Sequence, residues 1–491
     1  MKTKTVKYNF LMNAILTGSS FLFPMITFPY ISRVLLPEGV GRVNFATAVA
    51  YYFTMFAMLG APTYGVRACA RIRDDREKLS CVVQEILIIN LIAGILVYGA
   101  FFCSVQMIPR LRQDSVLFYI MGTAIFLNLV GVEWLYKGLE EYSYITIRSV
   151  LFKLASIVLM LLFVRTQNDY VIYGTISLLA NSGYNLLNLW NLKKYVSLYP
   201  IRHCNITRHL KPILLFFLMS VATTIYTNLD TVMLGFMKTD TDVGYYSAAV
   251  KVKNILVSLV TALGTVLLPR VSYYAEHHME EAFIRICQKA LNFVVVAAFP
   301  LTIYFILFAE ESVVFLSGQS FYGAVLPMQI IMPTILFIGV TNVLGIQIMV
   351  PLGKEHLVFY SVLAGAAVNL IINLLCIPTM SSVGAAVGTL IAEGTVLIVQ
   401  LLLLRNHMRM LVQSIAPGKL LAAIVCAVLS CIWVKQLTLP VFFALFLSAA
   451  LFFGIYGLIL LLLREKLVYE TVLQMWNKMI KRIPAERNRN D

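Results

Sequence analysis

Fourteen apolar stretches run along the chain, near residues 8–32, 40–62, 82–108, 115–135, 145–164, 170–192, 212–236, 243–269, 289–309, 326–350, 357–379, 383–404, 419–435 and 439–463. Short polar segments, most of them basic, separate them. A helix that crosses a bilayer needs about 20 apolar residues, and fourteen spans of about 22 would use roughly 308 residues. The remainder of the 491-residue chain is then about 12 residues per loop or tail, too little for an extramembrane domain. The pattern predicts an all-α integral membrane protein with about 14 transmembrane helices, called spans one to fourteen below. The first stretch is too long for a cleavable signal peptide, holds Pro24 and Pro29, and is followed by no small-residue cleavage site; it reads as span one. The thirteenth is short and begins just after Pro417, which makes it the weakest of the set.

Several spans carry a polar stripe. Span one has Asn13, Thr17, Ser20, Pro24 and Thr27, stepping by four, three, four and three, which keeps them on one helix face. Span eight repeats that stepping with Ser247, Lys251, Asn254, Ser258 and Thr261. Span two has Asn44, Thr47, Tyr51 and Thr54, and span seven has Ser220, Thr223, Thr224, Thr227 and Thr231. A polar stripe serves either packing between helices or a wet cavity. Its presence in both span one and span seven favours a shared cavity, because those two spans are partners in a repeat.

The repeat is weak and has an offset of about 203 residues. Val40-Gly41 matches Val243-Gly244, Leu59-Gly60 matches Leu263-Gly264, and Arg67 matches Arg270. Later, Ser149-Val150-Leu151 matches Ser361-Val362-Leu363, and Gly174-Thr175 matches Gly388-Thr389. An offset of six spans, an even number, makes the halves parallel repeats related by an axis along the membrane normal. This predicts two parallel six-helix pseudo-repeat lobes around a central cavity, plus two C-terminal helices. The boundaries are an N-lobe over 1–192, a basic linker over 193–211, a C-lobe over 212–404, and spans thirteen and fourteen with a basic tail over 405–491.

Composition agrees with the pattern. The chain is 60% hydrophobic and 13% charged, with a mean hydropathy of +0.82. Soluble chains are about 45–50% apolar and about 25% charged, so a cytosolic enzyme, a secreted disulfide scaffold and a disordered chain are excluded. The net charge of +15 would point to nucleic acid in a soluble protein. Here it is the excess of Lys and Arg found on cytoplasmic loops, and no nucleic-acid partner is expected. With the N-terminus inside, 29 Lys and Arg fall on the cytoplasmic side against seven outside, with Lys153, Lys251 and Lys253 within spans. That split places both termini in the cytoplasm. It also requires span thirteen, since residues 439–463 must cross and the basic tail after them belongs inside.

The eight cysteines form no CxxC pair and read as small apolar fillers, with no metal site or disulfide expected. All six histidines fall in predicted cytoplasmic loops, so a histidine proton relay within the membrane is not expected.

Charges away from helix ends are few: Lys153, Asp230, Lys251, Lys253 and Glu393. Each costs about 2.5–3.5 kcal/mol at a helix centre and so needs a partner or water. Asp230 and Lys251 lie at similar depths, roughly 9 and 12 Å from the outer ends of spans seven and eight at about 1.5 Å per residue. They form either a salt bridge or a charged cavity site, and a transporter that breaks the pair on binding would use both. Lys153 serves packing or the cavity. Glu393 is either a neutral buried acid or a proton- or cation-coupling carboxylate. Arg33 and Arg42 lie near outer helix ends, where snorkelling is the plain reading. Together these charges leave a mildly basic wall, suited to an anionic head group such as a phosphate and poorly suited to a cationic drug.

Linked motifs carry a resemblance. Phe28-Pro29-Tyr30-Ile31-Ser32-Arg33-Val34-Leu35, Pro37-Glu38-Gly39-Val40-Gly41 and Leu59-Gly60-Ala61-Pro62-Thr63-Tyr64-Gly65-Val66-Arg67 resemble the N-terminal signature of Wzx-type oligosaccharide flippases. Those proteins belong to the multidrug/oligosaccharidyl-lipid/polysaccharide exporter superfamily. Leu229-Asp230-Thr231-Val232-Met233-Leu234-Gly235, Val243-Gly244-Tyr245-Tyr246-Ser247-Ala248-Ala249, Leu267-Leu268-Pro269-Arg270, Asn369-Leu370-Ile371-Ile372-Asn373 and Val383-Gly384-Ala385-Ala386 resemble the second-lobe pattern. The likeness covers roughly 8–404. Leu36 departs from it, standing where the pattern usually has Gly.

The resemblance implies a V-shaped two-lobe flippase in the bacterial cell membrane. It would move an undecaprenyl-pyrophosphate-linked glycan repeat unit to the outer leaflet by alternating access, for capsule, exopolysaccharide or O-antigen assembly. Its partners would be that glycan lipid, membrane lipid and possible polysaccharide-assembly proteins. On this reading Arg33, Arg42 and Lys251 attract the pyrophosphate, Lys153 is a further substrate-binding residue, and Asn13, Thr17, Asn44, Thr227 and Asn254 offer hydrogen bonds to sugar hydroxyls. Asp230 or Glu393 would couple the cycle to H+ or Na+, with no other cofactor. The alternatives are a multidrug cation antiporter of the same superfamily and a lipid II or teichuronic-acid flippase. A membrane glycan polymerase or glycosyltransferase would need positioned acids or bases and commonly a sizeable outer loop. The longest outer loop, near 310–325, is too short, so no enzyme is expected.

Overall fold

The computed structural model describes residues 6–197, 199 and 205–474. His203, Cys204 and the tail residues Lys478, Lys481 and Arg482 lie outside them, and the side chain of Thr223 is likewise outside what is described. Among the described residues every regular element is helical. This follows from the solvent. In hydrocarbon each backbone N–H and C=O must be satisfied internally, and apolar runs of this length can do so only as helices.

Eight helices are long and apolar enough to cross a membrane, and two bent pairs, Asp240–Ala262 with Leu267–Glu276 and Gln319–Ile331 with Thr334–Met349, raise this to ten. Two of the eight, Leu11–Met58 and Glu355–Leu403, have 48 and 49 residues. At about 1.5 Å per residue each would extend roughly 72 Å, more than twice a bilayer core of about 30 Å. Each is broken by a residue with positive φ, Leu36 at φ 57° and Ser381 at φ 50°. Each is therefore two spans in sequence. Span six is split by a π-helical turn at Leu179–Gly183, between Tyr170–Leu178 and Asn185–Leu192. Span seven lies in Thr207–Met237. A fourteen-span chain is consistent with all of this. The thirteenth span is Pro417–Cys431, extended by a 3-10 turn over Ile432–Gln436. Pro417 is tolerated there because it occupies the first turn, where its missing N–H has no partner to lose.

The chain forms two compact units. The first comprises Met1–Ser247, Leu316–Phe321 and Asn373–Ala385; the second comprises Ala248–Phe315, Tyr322–Ile372 and Ala386–Asp491. The first is built around Trp134, Leu135 and Tyr136, which pack with Ile86, Leu129 and Tyr195. The second is built around Tyr304, Phe308 and Phe452, packed with residues of spans thirteen and fourteen. There the Tyr304 hydroxyl lies 3.0 Å from the Ser448 hydroxyl, and Asn292 donates to Glu465 at 2.8 Å.

Candidate functional site

The first unit has one end drawn shut. Gly41 and Gly244, the glycines of the sequence repeat, meet there. A Cβ on Gly41 would overlap the Asp240 carbonyl and lie 2.9 Å from the Gly244 nitrogen, and a Cβ on Gly244 would overlap the Pro37 carbonyl. Only glycine permits this approach. Around it Arg42 reaches Glu38 at 2.6 Å, Asp114 at 3.2 Å and Asp240 at 3.8 Å. Arg110 pairs with Asp240 as well and donates through Nε to the Gly235 carbonyl at 2.8 Å. The Tyr170 hydroxyl donates to Asp114 at 3.0 Å. Residues of this cluster come from segments predicted to share one side of the membrane. The ion pairs Arg73–Glu140 and Arg208–Glu85 join segments predicted on the opposite side, so the alternation of spans through this unit is consistent.

Towards that opposite side the unit holds a cavity of about 970 Å³. Its wall runs along span two from Thr47, Tyr51 and Thr54 down to Thr63 and Arg67, and takes Ser220 and Thr224 from span seven. These are residues of the predicted stripes and the repeat. The π-helical turn adds Asn181 and Ser182, and Asn128 and Asn185 stand beside them. A π-turn shifts side chains off the regular helical register, and such turns occur often at functional sites. The charges in the wall are Arg67, Glu133 and Lys137. Arg67 lies over the Phe216 ring at 5.1 Å, and Lys137 pairs with Glu133 at 2.9 Å. Hydroxyls and amides dominate the remaining polar positions, a set that both donates and accepts as sugar hydroxyls do.

Behind this wall lies Arg148, 3% exposed. Its guanidinium is 4.4 Å from the Tyr184 ring and 3.8 Å from Glu133, and none of its three nitrogens has a hydrogen-bond partner. A second buried cluster lies near the start of span three. Glu85, fully buried, takes Arg208 at 2.6 Å and His209 at 2.7 Å, and the other His209 nitrogen meets the Tyr64 hydroxyl at 2.6 Å. Glu85 holds the Arg208 guanidinium above its ordinary value. His209, assigned by sequence to a loop, is thus a buried linker residue.

The sequence-predicted residues distribute as follows. In the first unit, Lys153 is buried and donates to Ser19 and Ser20, both at 2.9 Å. Arg33 donates to the carbonyls of Pro29 at 2.6 Å and Leu316 at 3.4 Å. Arg42 is held by three carboxylates, and Asn44 has a buried amide nitrogen without a partner. Asn13 and Thr17 are exposed, and Thr227 donates to the Thr224 carbonyl at 3.3 Å. Asp230 is buried and accepts from Tyr246 at 2.6 Å and from Asn373. Lys251, Asn254 and Glu393 belong to the second unit, where Glu393 is buried. None of these eleven lines the cavity of the first unit. Sequence reasoning missed Glu85, Glu133 and Arg148. The one local signal was Glu133 four residues before Lys137, a spacing that pairs opposite charges on a helix.

A family described as "Polysaccharide biosynthesis protein" matches residues 6–275, more than half of the chain. The chain belongs to that family. The chain is similar to a "Putative O-antigen transporter" of Escherichia coli strain K12, 26% identical over 410 residues, which cover 82% of this chain and 97% of that one. A protein of the same description from Shigella dysenteriae is 25% identical over 383 residues, 74% of this chain and 91% of its own length. Among solved structures, "Lipid II flippase MurJ, inward closed conformation" is similar with a TM-score of 0.75 and 13% identity, covering 94% of this chain and all of that one. A multidrug resistance MATE family transporter of the MOP superfamily, inward-facing, gives a TM-score of 0.62 and 16% identity, covering 80% and 96%. At such identities the two structures speak for the fold alone. The family match agrees with the Wzx-type resemblance read from the motifs, and the chain is a multi-pass α-helical membrane protein.

Proposed function

We propose that this protein is a flippase that carries undecaprenyl-pyrophosphate-linked oligosaccharide repeat units from the cytoplasmic to the outer leaflet. The observation that carries the reading is the pairing, within one unit, of a hydroxyl- and amide-lined cavity of about 970 Å³ with an opposite end shut by Gly41, Gly244, Arg42, Arg110 and Asp240. A cavity closed at one end is what alternating access needs. Sugar hydroxyls match its polar wall, and the polyprenyl chain would stay in lipid. The O-antigen transporters among the relatives support transport over any catalytic role, so the protein is read as a transporter and not an enzyme. On this reading the basic loops face the cytoplasm, the cavity opens there, and the two repeats form lobes that rock about the bound head group. Arg42 then acts first as a closing group, and its carboxylate partners release it when the outer end opens.

Reconstitution tests this. In proteoliposomes loaded with a polyprenyl-diphosphate oligosaccharide, the purified protein speeds the arrival of the glycan at the opposite leaflet, read by an impermeant lectin or glycosidase. Equal rates with and without protein would overturn the reading. Transport of cationic dyes in place of the glycan lipid would move it to the antiporter branch.

A further inference from the structure

Arg148 poses a physical problem. A guanidinium has five N–H donors, and burying it without hydrogen bonds costs several kcal/mol. Its nearest carboxylate, Glu133, is 3.8 Å away and faces the cavity, where its other oxygen is taken by Lys137 at 2.9 Å. Two cations thus share one carboxylate, with the better geometry given to the more exposed one. Lys137 is 42% exposed by side chain and Arg148 is 3%.

Resting on the flippase reading, we propose that Glu133 is the exchange partner of an oxyanion subsite in the cavity. It holds Lys137 in the conformation described, and it yields Lys137 to an oxyanion of the substrate by turning to Arg148. Without Arg148, an anion that captured Lys137 would leave the Glu133 carboxylate, 29% exposed in the cavity wall, with no cation beside it, and a partly desolvated charge without a partner is unfavourable. With Arg148 in place, each state has the same number of ion pairs, and the loaded state also satisfies the buried guanidinium. Tyr184 steadies both ends of the movement, since its ring lies against Arg148 and its hydroxyl is 3.5 Å from Glu133. Arg67, also in the cavity wall, is the second cation available to the same anion. The chemistry recognised is an oxyanion, supplied either by the diphosphate of a lipid carrier or by the carboxylate of an acidic sugar. Arg148 is a positioning residue: it acts through Glu133 and does not touch the ligand.

The test is calorimetric titration of the full-length protein in nanodiscs with inorganic pyrophosphate and, separately, with D-glucuronate. The anion that binds names the source. Lys137→Ala weakens binding about tenfold, which is about 1.4 kcal/mol. Glu133→Gln tightens it, because the competitor for Lys137 is gone. Arg148→Leu weakens binding about tenfold alone but less than about threefold in the Glu133→Gln background, a coupling that a purely structural role or a general field effect would not produce. Equal losses in both backgrounds, weaker binding by Glu133→Gln, or no binding of either anion overturns the proposal. If Arg148→Leu does not fold, the sign of the Glu133→Gln effect decides alone. Failure of the flippase reading would appear separately, as absent glycan-lipid transport with anion binding intact.

Discussion

Leu36 adopts φ 57° and ψ 178°, a region that essentially only glycine enters without cost. It sits at the break where one 48-residue helix becomes two spans. The Wzx-type pattern usually has Gly at this position, and the geometry gives the reason. Leu36→Gly should raise stability by about 1 kcal/mol, the low end of the cost of such backbone strain, read as a higher midpoint of thermal unfolding in detergent. A lower midpoint would mean that the half-buried leucine side chain contributes more than the strain costs. Asp240 is the residue that Arg42 and Arg110 share. Asp240→Asn removes the charge that draws the two arginines together, and a membrane-impermeant thiol reagent should then label a cysteine at Gly39 faster from the outer side. Unchanged labelling would separate this cluster from gating. Single charges in apolar runs, such as Lys153 and Asp230, were legible in the sequence because each breaks a pattern. Glu85, Glu133 and Arg148 were not, because they lie at span ends where solvated charge is ordinary. Only the tertiary structure buries Glu85 and Arg148 and sets Glu133 between Arg148 and Lys137.

Helices were the most legible elements. The apolar runs gave the spans, and parity of the basic loops required the thirteenth, which is present as a short helix with a 3-10 extension. The breaks were less legible. The π-turn at Leu179–Gly183 has no sequence mark, yet it adds Asn181 and Ser182 to the cavity wall. The sequence marks 193–211 as a basic linker, while its end is clasped by Glu85 through Arg208 and His209. Glu85→Ala leaves both partners short of a carboxylate. Breaking a buried pair costs about 3–5 kcal/mol, and the half-exposure of Arg208 lowers the expected loss to about 2 kcal/mol. Thermal unfolding of the purified variant checks this, and a loss below about 0.5 kcal/mol would remove the clasp from the account. Gly41→Leu inserts a side chain where the Asp240 carbonyl and Gly244 already meet. It should abolish transport while leaving the protein in the membrane, and Gly41→Ala should act in the same direction more weakly. Wild-type transport by Gly41→Leu would show that this close approach is not part of the cycle.

For the whole molecule, the internal repeat was the most informative sequence feature. It pairs Gly41 with Gly244, and the two glycines approach closely in the first unit. Five residues of the polar stripes, Thr47, Tyr51, Thr54, Ser220 and Thr224, line the cavity of the first unit. The charged candidates did not collect in that cavity, since sequence depth along a helix does not fix which neighbour a side chain meets. Fold and family follow from the span pattern and the match over residues 6–275. The cargo is the central claim, and lipid extraction from cells depleted of this protein tests it most directly, with mass spectrometry of the polyprenyl-linked intermediates. The account predicts a build-up of complete, unpolymerised repeat units on undecaprenyl pyrophosphate. Unchanged intermediates together with new sensitivity to cationic dyes would contradict it.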